Sequence, residues 1–178
     1  MKNLVLLIID VQNELINSNP YNKENVINNL KLLIASARKQ FVEIIYVQHT
    51  SLESSPYSKG LSTWEVYNEV KPIKNDTIFY KNYNSAFYKT SLHQYLQDKN
   101  ISNLILTGLQ TEYCMDATLK SAFDLGYKIY IPKETNTTFD NEFLSGENLY
   151  KFYNYTIWNN RFANVISLEE SLNFIANS

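Results

Sequence analysis

Leu4–Ile9 is an unbroken apolar run closed by Asp10, the pattern of a strand buried on both faces. Between Asn25 and Gln40 the apolar residues Val26, Ile27, Leu30, Leu33, Ile34 and Ala37 recur at helical spacing, which predicts an amphipathic helix. Val42–Val47, VEIIYV, predicts a second strand. The following stretch TSLESSPYSKGLSTW is too polar to be core and reads as a loop. Thr77–Tyr80 predicts a short third strand closed by Lys81. Phe87, Leu92, Tyr95 and Leu96 then mark a helix within Ser85–Lys99, starting near Ser91 or a little earlier. Asn103–Thr107 and Tyr127–Ile131 predict a fourth and a fifth strand, with a helix over 112–125 between them. Asn141–Tyr155 reads as helical, Ala163–Ile166 as a last strand and Glu169–Ala176 as a last helix.

Strand and helix in alternation predict an α/β fold: a three-layer α/β/α sandwich on a mainly parallel, roughly six-stranded sheet with right-handed crossovers. No internal repeat or linker divides the chain, so residues 1–178 are expected to form a single domain. At 178 residues and 44% hydrophobic content, the chain is long enough for a substantial core.

A formal net charge of -2 gives no electrostatic case for binding nucleic acid or an anionic membrane. No stretch approaches the roughly 20 apolar residues of a membrane span, and the N-terminal apolar run is short for a signal peptide. The single cysteine, Cys114, excludes an intramolecular disulfide and fits a reducing compartment. A cytoplasmic protein is expected.

Candidate chemistry enters at the strand ends. In open α/β sheets ligands bind beyond the carboxyl ends of the strands. Asp10, Lys81 and Cys114 all stand there, after LLII, TIFY and LILTG. Singly, each has a plain structural reading: an aspartate as turn former, a lysine as surface charge, a cysteine as small core residue. Their shared placement is what favours a site. Thr111 is a good N-cap type, which puts Cys114 in the first turn of the next helix, where the dipole favours an anion. Lys81 adds a positive charge, so the thiol is expected to have a lowered pKa. Asp10 can serve as general base and return the proton to a leaving amine. Backbone N–H groups at the same helix start can hold an oxyanion, and Gly108 is expected to let the chain turn sharply off the strand.

The stretches IIDVQNEL, IIYVQHT, FYKNYNSAFYKTSLHQYL, LILTGLQTEYCMDATLKSAFDLGYKIYI and TTFDNEFLSGENLYKFYN resemble, in order and spacing, the isochorismatase-like cysteine hydrolase superfamily. That superfamily includes nicotinamidases, N-carbamoylsarcosine amidases, isochorismatases and streptothricin hydrolase, and the resemblance runs from residue 4 to about 170. It implies Asp10 as general base, Lys81 as the activating and orienting charge, and Cys114 as nucleophile. It also implies a non-proline cis peptide at Leu109–Gln110, with the Gln110 and Cys114 N–H groups forming the oxyanion hole. Gln12, Trp64, Phe87 and Tyr113 are expected around a substrate pocket. Nicotinamidases bind a metal through an Asp-x-His after the second strand; here Val47 takes the aspartate's place. His49 is therefore read as a pocket-side hydrogen-bonding residue with no metal, and no cofactor is expected. The family's Asp-Ala after the fifth strand is replaced by Glu134-Thr135.

The resulting expectation is a hydrolase of a C–N bond in a small amide, lactam or carbamoyl substrate, working through a thioester on Cys114. Isochorismatase-type enol-ether hydrolysis is an alternative that would need cationic groups for a dicarboxylate. A redox-sensing or binding domain using Cys114 is another, although a resolving cysteine is absent. A homodimer or homotetramer is expected from the family, with Tyr150, Phe152, Tyr153 and Trp158 as a candidate patch.

Overall fold

Alternate residues of β1 (Leu4–Ile9) enter two separate cores. Leu4, Leu6 and Ile8 join one, and Val5, Leu7 and Ile9 join the other. A strand with both faces covered has no polar side to offer, which is why its sequence is continuous rather than alternating. The computed structural model describes residues 3–51 and 54–178. Residues 1 and 2, and residues 52 and 53 of the polar 50–64 stretch, lie outside the described residues.

The remaining strands are β2 (Glu43–His49), β3 (Thr77–Lys81), β4 (Asn103–Leu109), β5 (Lys128–Pro132), β6 (Asn136–Thr137) and β7 (Asn164–Ile166). All pair in parallel, in the order β3-β2-β1-β4-β5-β7, with the two-residue β6 added to the end of β4. The expected main sheet of about six strands is present, and β6 is the addition. The helices are α1 (Asn13–Asn17), α2 (Lys23–Lys39), α3 (Leu92–Asp98), α4 (Asp116–Asp124), α5 (Gly146–Lys151) and α6 (Leu168–Ala176). On one face, Val26, Leu30, Leu33 and Ala37 of α2 pack with Ile175 of α6. On the other, Leu92 and Leu96 of α3 pack with Leu119 and Ala122 of α4.

Three elements depart from the pattern in the sequence. The five-residue α1 begins three residues after Asp10 and folds back under the 62–66 loop, where the Asn13 and Glu14 amides donate to Glu65 and Thr63 carbonyls. The segment expected as one helix over 141–155 begins only at Gly146, capped by the Ser145 hydroxyl, and widens into a π-helical Phe152–Trp158. Here tertiary contacts override local periodicity, because Trp158 is drawn wholly into the core and donates its indole N–H to Asp116 at 2.9 Å. The stretch before α4, Thr111–Met115, is also π-helical. The proposed aromatic patch is not a surface either: Tyr150 and Trp158 are buried within the chain, and Phe152 is the exposed large aromatic of the four. No helix among the described residues is long and apolar enough to cross a membrane.

Candidate active site

Asp10 leaves β1 in the left-handed region at φ 50, a conformation that aspartate tolerates better than most residues. Its N–H donates to the Val47 carbonyl at 2.9 Å, and its carbonyl accepts the Gln12 N–H at 2.8 Å, so the backbone on either side is tied down. The carboxylate is thereby held at the mouth of the sheet. Lys81 is the last residue of β3, in register with His49 of β2. Both Asp10 and Lys81 are 1% exposed.

The Lys81 ammonium is the centre of the arrangement. Its Nζ lies 2.6 Å from Asp10 Oδ2, 3.1 Å from Cys114 Sγ, 3.1 Å from the Tyr83 carbonyl and 3.4 Å from His49 Nδ1. Three N–H donors thus face four acceptors, and the histidine contact is the longest. Burial works against the lysine's charge, but the Asp10 carboxylate foremost outweighs it and holds its pKa above the ordinary lysine value. The remaining Asp10 oxygen, Oδ1, is buried and accepts no hydrogen bond among the described residues. A carboxylate oxygen of Asp10 lies within 4.8 Å of Cys114 Sγ, placed to take its proton.

Cys114 sits in the π-helical turn, with the Tyr113 and Met115 N–H groups both donating to the Gln110 carbonyl at 3.1 Å. The helix start differs from the expected one. Gln110, not Thr111, is the N-cap residue, and it makes no side-chain cap. The Thr111 hydroxyl instead donates at 2.8 Å to Asn136 Oδ1, and Asn136 and Asn154 exchange amide hydrogen bonds at 2.9 and 3.0 Å. This buried amide pair fastens the cysteine turn to β6 and to the π-helical Phe152–Trp158. The Leu109–Gln110 peptide bond is cis.

Gly108 also acts otherwise than expected. It lies within β4 at φ +124, and a Cβ there would stand 1.9 Å from the Ile9 carbonyl oxygen. Its absence lets β1 and β4 approach, which brings the Asp10 and Cys114 ends together. The expected lowering of the thiol pKa is likewise reversed: burial first, then Asp10, push Cys114 up to about 12, with Lys81 opposing. The resting sulfur is a thiol, and its proton must leave during reaction.

The sulfur opens onto a cavity of about 150 Å³ whose floor is Asp10 and Cys114. His49, Tyr57 and Leu15 form one side of it, and Asn84, Gln110 and Tyr113 the other. Asn84 Oδ1 approaches Sγ to 3.9 Å. Of the residues expected around the pocket, His49 and Tyr113 line it and three do not. Gln12 is fully buried, its amide accepting the His49 N–H at 2.9 Å and donating to the His49 and Trp64 carbonyls at 3.1 and 2.7 Å. It aims His49 rather than facing a ligand. Trp64 stacks on Tyr80 and donates to Thr50 at 3.0 Å, beside a different surface cleft. Phe87 stacks on Tyr127 in the second core. Tyr57 and Asn84 went unnoticed because they reach the cavity from irregular segments, whose placement leaves no periodic signal in sequence. Leu15 is carried in by the unexpected α1.

His49 is not as isolated as its place in the sequence suggests. A ring nitrogen of His49, an Asp10 oxygen and Cys114 Sγ lie within 4.8 Å of one another, a donor set of the kind that holds a metal. The Lys81 ammonium touches all three, so a cation among them would meet a fixed positive charge at contact distance.

Comparison with known proteins concerns the chain as a whole. The family model described as Isochorismatase domain matches residues 5–170. An uncharacterized isochorismatase family protein of Bacillus subtilis, YrdC, is 29% identical over 140 residues, covering 75% of this chain and 73% of that protein. Nicotinamidase 3 of Arabidopsis thaliana is 26% identical over 153 residues, covering 77% of this chain and 74% of that protein. A crystal structure of an isochorismatase family protein superposes with a TM-score of 0.86 at 30% identity, covering 94% of this chain and 99% of that one.

Proposed function

Because this chain belongs to the isochorismatase family, whose members are hydrolases and whose relatives include proteins named as a nicotinamidase and a ureidoacrylate amidohydrolase, we propose that it hydrolyses the C–N bond of a small amide with Cys114 as nucleophile. The observation that carries this reading is the contact of one buried ammonium with both the Asp10 carboxylate, at 2.6 Å, and the Cys114 sulfur, at 3.1 Å, on the floor of an open cavity.

The steps follow from the charges. With its pKa raised by burial and Asp10, the thiol attacks while losing its proton to the Asp10 carboxylate, which is general-base rather than preformed-thiolate chemistry. Sγ bonds to the carbonyl carbon, and backbone N–H groups of the Gln110–Cys114 turn hold the oxyanion. Asp10 then passes the proton to the leaving nitrogen, the C–N bond breaks and a thioester remains. A water gives its proton to Asp10 as it attacks the thioester; the C–S bond breaks, the acid leaves and the sulfur recovers its proton. Lys81 pairs with the Asp10 carboxylate at 2.6 Å and offsets the negative charge passing through sulfur.

Release of ammonia or amine from a panel of small amides tests this, with Cys114→Ala and Asp10→Asn alongside. Cys114→Ala is expected to abolish release, and Asp10→Asn to lower it by about 10²–10⁴-fold. Release that survives in Cys114→Ala would end the nucleophile assignment.

A further inference from the structure

The charges of this site are already matched against one another, and what is left facing the cavity has no cation in it. Among the described residues that line it, none is lysine or arginine, and Asp10 is acidic. Lys81 lies behind the floor with its donors committed to Asp10, Cys114 and the Tyr83 carbonyl. His49 presents Nδ1 to that ammonium at 3.4 Å, and a fixed positive charge at that distance disfavours an imidazolium. Burial first and Lys81 second also lower its pKa, in agreement with the geometry. The rest of the wall is neutral amide, phenol and hydrocarbon from Asn84, Gln110, Tyr57, Tyr113 and Leu15. At about 150 Å³ the cavity is small beside the 300–1,000 Å³ typical of ligand pockets.

We infer that this site selects its substrate by charge: it admits a small neutral or cationic amide and turns away one that carries a carboxylate. An entering carboxylate gives up water, finds no free cation, and comes to rest beside the Asp10 charge. A neutral amide meets Asn84 and Gln110, each with donor and acceptor to offer. A cationic group meets the two tyrosine rings and the Asp10 carboxylate at the cavity floor. The word amide rests on the hydrolase reading; the charge selection does not.

The two are separated by experiment. Cys114 is the only cysteine, so alkylation reports on this cavity alone. Rates with iodoacetamide and with iodoacetate, matched in size and differing in charge, are each divided by the rate with N-acetylcysteine at the same pH and salt. The normalised rate with iodoacetamide is expected to exceed that with iodoacetate by about tenfold or more. A ratio near one, or a preference for iodoacetate, overturns the inference. Tyr113→Arg, at an exposed rim position, supplies the missing cation and is expected to raise the ratio of the iodoacetate rate to the iodoacetamide rate about fivefold. No response to that charge also counts against it.

Ammonia release from butyramide, β-alaninamide and succinamate, which share a chain and differ in the end group, gives the second arm. Turnover of the first two with succinamate at least about tenfold lower in kcat/KM supports both readings. Equal turnover of all three keeps the amidase and overturns charge selection. Retained alkylation preference with no release from any amide keeps charge selection and removes the amidase.

Discussion

Lys81 and Asp10 form an ion pair with almost no exposed surface, and such a pair behaves differently when halved than when removed. Lys81→Met leaves the Asp10 carboxylate buried without a counter-charge and is expected to destabilise the fold by about 3–5 kcal/mol in urea unfolding. The Asp10→Asn/Lys81→Met double variant removes both charges and is expected to recover most of that loss. A double variant as unstable as Lys81→Met would show that the lysine's packing, not its charge, matters. The thiol gives a second expectation at this scale. A folded pKa raised to about 12 lies above the ordinary thiol value, so the folded chain holds its proton more tightly than the unfolded one. The stabilisation is then complete below about pH 8.5 and is lost as pH rises towards 12. Alkylation of Cys114 by iodoacetamide is expected to climb about tenfold per pH unit from pH 7, without a plateau below about pH 11. A plateau near neutrality would mean a preformed thiolate and a different division of labour between Asp10 and Lys81.

At the scale of elements, the site depends on how closely β1 and β4 approach and on what holds the turn after β4. Gly108→Ala drives a Cβ to 1.9 Å from the Ile9 carbonyl oxygen, a backbone atom that cannot swing aside. It is expected to cost about 3 kcal/mol or more. Gly126→Ala shares a positive φ of 87 but meets nothing within 4 Å, and is expected to cost only about 1 kcal/mol. Similar losses of Tm for the two would remove the close-approach argument. Asn154→Leu orphans the buried Asn136 amide and is expected to destabilise by about 1–3 kcal/mol while lowering the alkylation rate of Cys114. These are also the features that were hardest to read from sequence. The strand runs ending at Asp10, Lys81 and near Cys114 were legible because strands covered on both faces are continuous and apolar. The Asn136–Asn154 pair was not, since each asparagine alone looks like a turn residue and only the folded chain sets their amides face to face. Gly108 drew notice for its rarity, but its purpose is a contact with Ile9, ninety-nine positions away in sequence.

At the scale of the whole molecule, the reactive groups hang from strands of unequal security. Strands β1 and β4 are central neighbours, buried between two layers of helices, and they deliver Asp10 and Cys114. Lys81 comes from β3, which lies at the sheet edge and is half-buried along most of its length. Reading the sequence placed all three at one edge of a sheet, but strand order is a property of the assembled fold and does not show in a run of residues. The consequence is mechanical as well as chemical. Edge strands with few buried side chains open at lower free energy than central ones, so the ammonium is the member most exposed to local unfolding. Amide hydrogen exchange is expected to be slowest in Leu4–Ile9 and Asn103–Leu109, and at least about tenfold faster in Thr77–Lys81. Lys81→Met, which unfastens the end of β3 from β1, is expected to widen that gap in β3 while leaving the ranking of β1 and β4 intact. Protection of β3 equal to that of the central pair would mean that the Lys81 contacts anchor this edge as firmly as the core anchors the middle, and that the site opens only when the whole sheet does.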